Sequence, residues 1–299
     1  AYKLGIHTVS VSAYTSSKES ASPHKPVFVI KFWGVRGSVP TPGAATAFYG
    51  GNTACIEVLA DHQRFIFDGG TGLRVLGETL YQNPDPIEGH LFFTHTQWDR
   101  IQGFPFFLPA FEVGNHFHIY GGIAANGASI KQCLTTQMLK PGFSLPLQTM
   151  QAGLTFHDIT PGDILRIGNI QIETIGLNGQ SHALGYRLSY QGKSVVYATD
   201  TDYEQIDENL LCLAHQADLL VYDGVYIDLC DQINLPSSPK PWQAAIQLAR
   251  SAQVKRLAMV HYGPRQTDSM LNTLAHQLKD IEPQVFFGYE GMVISLLDN

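Results

Sequence analysis

The chain has 299 residues, enough for one large hydrophobic core or two modest ones. Hydrophobic residues make up 44% and charged residues 15%, a globular balance that excludes a disordered or fibrous chain. A net charge of -7 with only 19 Lys and Arg argues against a surface that tracks extended nucleic acid, while leaving room for a local basic pocket. Cys55, Cys133, Cys212 and Cys230 have no paired C-x-x-C spacing, so they read as buried thiols of a reducing, cytoplasmic compartment. No apolar run reaches the ~18 residues of a membrane helix, and the N-terminus lacks a signal-peptide layout, so neither insertion nor export is expected.

Residues 1–26 hold a short strand candidate, Ile6–Val11, and then turn polar, as a leader or linker to an upstream module would. The folded domain is expected over 27–299. Val27–Phe32 reads as an apolar strand, followed by the Gly/Pro-rich loop Trp33–Thr53. In that loop Arg36, Ser38 and Asn52 are candidates for holding an anion, against the simpler reading of a rigid structural loop. Cys55–Leu59 and Arg64–Phe67 form a hairpin, and Asp68 opens the run DGGTG. Asp68 either orients imidazoles from behind or caps a helix.

His90–Thr94 is short, apolar and aromatic, a buried strand. Beyond it polar groups stand at His95, Gln97, Asp99 and Arg100, at the strand end where open α/β architectures form crevices. His-x-His-x-Asp-His at this place would be a strong two-metal signature; the chain has His-x-Gln-x-Asp-Arg. Gly103–Pro109 supplies aromatic lining, with ordinary packing expected for each Phe. His116 and His118 alternate around one residue without a carboxylate cluster in sequence, which makes packing the better reading than metal binding.

Leu154–His157, Ile164–Ile167, Ile170–Thr174, Ala183–Ser189 and Lys193–Tyr197 are strands, with turns at Pro161-Gly162 and Gln191-Gly192. Asp200 and Asp223 each follow a strand, and His182 is either a pocket group or an exposed side chain. Pro239–Gln253 is a helix, Val254–Val260 a strand ending at His261, and Met270–Leu278 an amphipathic helix. Val285–Phe287 and Met292–Leu297 close the chain as strands. Strands followed by helices occur twice, which suggests two sheets between outer helices.

The runs FWGVRGSVPTPG, YGGNT, DGGTG, THTQWDRIQGFPFF, LGYRL, YATDTDY and LLVYDG resemble the metallo-β-lactamase fold superfamily over nearly all of Val27–Leu297. They look especially like its phosphodiesterases related to tRNA 3'-processing nucleases. The resemblance implies an α/β fold, the four-layer αββα sandwich, and a two-metal centre built from five imidazoles and two aspartates. Residue by residue, His95, Asp99, Asp200 and His261 stand at family ligand positions, with Asp68 and Asp223 behind them. Gln97, Arg100 and Gly179 stand where three imidazoles are expected, and a further family His aligns with Pro239.

Arg100 weighs most, because a guanidinium has no lone pair for a metal and satisfies two carboxylates well. The expectation is therefore a degenerate phosphodiesterase-like protein that is not an enzyme and takes no cofactor. It would bind a nucleotide or other anion through Arg36, Ser38, Asn52, Gln97, Arg100 and His182, or serve a protein partner as a regulatory module. A homodimer is expected from the general prevalence of twofold assemblies. The alternative is a hydrolase using Asp99, Asp200 and His261 with one Zn, Mn or Fe ion.

Overall fold

The computed structural model describes residues 26–179, 181–202, 207–223, 241–279, 282 and 284–297. The strand candidate Ile6–Val11, Cys230 and Pro239 lie outside these. In chain order the elements are β1 (Phe28–Gly34), β2 (Cys55–Ala60), β3 (Gln63–Phe67), α1 (Thr71–Tyr81), β4 (Glu88–Phe93), α2 (Trp98–Ile101), β5 (His116–Gly121), α3 (Ile130–Gln137) and β6 (Gly153–Asp158). The second half has β7 (Ile164–Ile167), β8 (Ile170–Gly176), β9 (Leu184–Tyr190), β10 (Lys193–Ala198), α4 (Glu208–Ala214), β11 (Leu219–Tyr222), α5 (Pro241–Ser251), β12 (Leu257–Met259), α6 (Asp268–Lys279), β13 (Val285–Phe287) and β14 (Val293–Ser295).

Two seven-stranded sheets result, in the orders β14-β1-β2-β3-β4-β5-β6 and β13-β12-β11-β10-β9-β8-β7. Alternate side chains of both sheets meet in one apolar core, with Phe28, Ile30, Phe32, Phe65, Phe67 and Phe92 facing Ile172, Tyr186, Leu188 and Val196. The outer face of the first sheet is covered by α1 and α3 through Leu73, Leu76, Leu80, Ile130 and Leu134. Helices α4, α5 and α6 cover the second sheet. The order helix, sheet, sheet, helix is the expected αββα sandwich.

Several elements depart from the sequence reading for local reasons. DGGTG does not stay a loop: Gly70 is the N-cap of α1, whose Leu73, Leu76, Gly77 and Leu80 recur at helical spacing and are buried. His116 and His118, one residue apart, both lie within β5 and so share one face of the sheet. Val254–Val260 pairs as a strand only at Leu257–Met259, and α5 stops at Ser251. Cys55 is buried, but Cys212 is exposed, so the thiols are not all interior. Among the described residues no helix is long and apolar enough to cross a membrane.

Strand direction positions the site. β3 and β4 are parallel, as are β10, β11 and β12, so the residues after each emerge together at carboxyl ends. Those residues are Asp68, His95, Asp200, Asp223 and His261.

Candidate functional site at the strand ends

Arg100 is the last polar residue of α2, a single turn that carries Asp99 in its first turn and has Gln97 as its N-cap. The turn aims Arg100 into the gap between the sheets, where it is fully buried. Its Nη1 donates to Asp68 Oδ2 at 3.0 Å, Tyr197 OH at 3.1 Å and Thr199 Oγ1 at 2.9 Å. Its Nη2 lies 3.0 Å from His261 Nε2, and its Nε lies 3.3 Å from Asp99 Oδ2. Burial alone would strip the guanidinium of its proton more readily, but Tyr197, Asp99, Asp68 and Asp200 more than reverse that. The charge is permanent and paired, which a buried cation requires.

The surrounding groups are arranged by this cation. Asp99 accepts the Ser38 backbone N–H at 3.2 Å and lies 3.5 Å from His261 Nε2. Burial pushes its carboxyl upward, but Arg100 and then His261 hold it well below the usual carboxylate range. For His261, burial and Arg100 act downward, while Asp223 and Asp99 outweigh them and leave the ring above its ordinary value. Its Nδ1 is 3.6 Å from Asp223 Oδ2. Gly37 packs flat against that ring, since a Cβ there would stand 2.2 Å from His261 Nε2.

His95 is oriented by a relay rather than by a direct carboxylate. Thr94 Oγ1 lies 2.9 Å from Asp68 Oδ1 and 3.0 Å from His95 Nδ1. With the hydroxyl donating to Asp68, His95 donates from Nδ1, and its Nε2 keeps a lone pair. That Nε2 is buried without a hydrogen-bond partner, 3.8 Å from Asp200 Oδ2. Burial and then Arg100 keep His95 below the ordinary imidazole value, so it is neutral at pH 7. Burial would raise Asp200, but His95, Arg100, Ser181 and His261 lower it on balance; with His95 neutral, Arg100 is the durable part of that field.

Four of the sequence-derived site residues converge as expected: Asp99, Arg100, Asp200 and His261. Asp68 sits behind them, and Ser38 joins through its backbone. Gln97 and His182 line an adjoining cleft of about 590 Å³ with His95, Thr96, Thr136, Gln137 and Ser181. Arg36 and Asn52 do not reach it. Arg36 is fully buried, donating to Gly50 O at 2.7 Å and Gln266 O at 2.6 Å, and Asn52 is held by Glu290 through its backbone and side chain. Both pin the loop to the second half of the chain, so the structural reading of that loop wins. Arg100 is likewise sealed from ligand, and among the described residues no Lys or Arg lines the cleft. Tyr197 and Thr199 were missed, since nothing in strand spacing signals a contact made across the sandwich. Asp223, expected behind the ligands, stands among them.

Two metals do not fit these residues. Gln97 is a neutral amide on the exposed surface of its turn, and Arg100 fills the space between Asp68, Asp99 and His261. No imidazole can stand at 179, where a Cβ would lie 2.1 Å from the Asp200 carbonyl oxygen. One cation is a different matter: Asp200, Asp223 and His261 place ligand atoms within 4.8 Å of one another. Those three residues would hold it, with His95 Nε2 next to Asp200.

The match to known proteins follows the same strand ends. Residues 63–262 match the family model described as the beta-lactamase superfamily domain. Ribonuclease Z of Picrophilus torridus is 23% identical over 85% of this chain and 91% of its own length. Human tRNase Z, short form, superposes with a TM-score of 0.61 at 16% identity, covering 90% of this chain and all of that one. A diphosphatase from the PhnP family superposes with a TM-score of 0.66 at 13% identity, covering 90% of this chain and 98% of its own. The matched span runs from β3 through His261 and takes in every strand end described above, so the chain belongs to the metallo-β-lactamase fold superfamily, in its branch of phosphodiesterase- and ribonuclease Z-like proteins.

Proposed function

We propose that this member of the branch is a non-hydrolytic binding module, in which an arginine-centred ion network stands in place of a two-metal centre. The observation that carries the reading is Arg100, fully buried and bonded to Asp68, Tyr197, Thr199 and His261 with Asp99 beside it. Hydrolysis by two metals needs a bridging hydroxide and two cations over the developing charge. A guanidinium supplies charge but neither activates water by coordination nor leaves room for the ions.

The cleft beside it suits a nucleotide-sized ligand. His95, Thr96, Gln97 and His182 line it, and Gln97 and His182 offer polar contacts. With both buried arginines out of reach, recognition rests on hydrogen bonds to polar side chains such as Gln97 and His182 rather than on Arg36 or Arg100.

A second reading is supported by the Asp200, Asp223 and His261 cluster: a hydrolase with one divalent cation, which would supply a water of lowered pKa. Activity separates the two. Purified protein with Mn2+ or Zn2+ should leave phosphodiester substrates, including tRNA 3'-extended RNA, at the uncatalysed rate. It should still bind a ligand from a nucleotide panel, about tenfold more weakly after Gln97→Ala or His182→Ala. Metal-dependent turnover abolished by Asp200→Asn would overturn the binding-module reading in favour of the one-cation enzyme.

A further inference from the structure

Along β4, β5 and β6 of the first sheet, four histidines stand together on one face. β4, β5 and β6 are parallel, and their register pairs His90 with His118, His118 with Thr155, and Tyr120 with His157. The rings of His90 and His118 stack with centroids 5.0 Å apart, and His116 lies 4.8 Å from His118 on the solvent side. His118 Nδ1 and His157 Nε2 are 3.2 Å apart. Two imidazole nitrogens on a tetrahedral ion, each bound at ~2.0–2.1 Å, stand about 3.3–3.4 Å from one another.

We infer that His118 Nδ1 and His157 Nε2 form a two-imidazole divalent transition-metal site, for Zn2+, Ni2+ or Cu2+, on β5 and β6 of the first sheet, with the His116 ring beside His118. Glu88 completes its logic. Its Oε1 lies 3.9 Å from His118 Nε2, a nearby negative charge that favours the proton on that nitrogen over Nδ1. Thr155 Oγ1, 3.2 Å from His116 Nε2, keeps that ring beside His118. Burial, and for His118 also His116 and His157, keep His118 and His157 below the ordinary imidazole value, so an ion would sit in place of the proton these two nitrogens share, the donor ring moving its proton to its other nitrogen. His90 backs the stack as an apolar wall, neutral because burial and then its neighbours push it down to about 3. β6 is an end strand, so an ion here would tie the sheet's edge to β5.

The test is calorimetric titration of the Asp200→Asn protein with ZnCl2 or NiCl2, which keeps the strand-end cluster out of the reading. One saturable ion is expected, weakened about tenfold or more by His157→Gln and reduced by His116→Asn at an exposed position. Absence of saturable binding, or equal affinity in His157→Gln, would overturn the site. In the unaltered chain, the Cu2+ spin-resonance spectrum should carry coupling from two or more imidazoles, reduced by His118→Gln. A spectrum unchanged by that substitution counts equally against it.

Discussion

Arg100 Nη1 is shared among Asp68, Tyr197 and Thr199, so one guanidinium satisfies three buried polar side chains. Arg100→Leu leaves the buried Asp68 and Asp99 carboxylates without their guanidinium, and should cost about 3–5 kcal/mol in urea unfolding. Tyr197→Phe removes the hydroxyl that bridges Arg100 and Asp68, and should cost about 0.5–1.5 kcal/mol by the same measurement. Acidity supplies a third check. Asp99 is held below its unfolded value of about 3.9, so its contribution is full above that value and is lost as pH falls through the lower folded one. The native chain should therefore lose stability below about pH 4 more steeply than Asp99→Asn does, followed by urea midpoints from pH 7 to pH 3.

At the scale of elements, two glycines set how closely loops approach the site. Gly37 lies against the His261 ring and Gly179 against the Asp200 carbonyl. Gly37→Ala should force that ring aside and cost about 1–3 kcal/mol, read as a lowered unfolding temperature. The strand ends were legible in the sequence because a buried strand followed by a polar residue is a local pattern, as at His95, Asp200 and His261. The partners of Arg100 were not: Tyr197 and Asp68 are 129 residues apart, and their contact crosses two sheets. Arg36 misled for the same reason. A basic residue in a Gly/Pro-rich loop looks like an anion site until the carbonyls of Gly50 and Gln266 are seen to surround it. α1 was hidden by its glycine-rich start, although Leu73, Leu76 and Leu80 carried the period.

Across the whole molecule, two sheets of parallel strand ends face one another, and whatever lies between them decides the chemistry. The superfamily's layers, core and cleft are present here, while the seam between the sheets is closed by charge pairing inside the protein. On the binding-module reading, fold and ligand-sized space persist independently of the ions that hydrolysis would need. The direct measurement is anomalous X-ray scattering from crystals grown with excess Mn2+ or Zn2+. The account predicts Arg100 in density bonded to Asp68 and His261, with no metal between Asp99 and Asp68. Two ordered ions spanning the strand ends, with the guanidinium turned out to solvent, would contradict it.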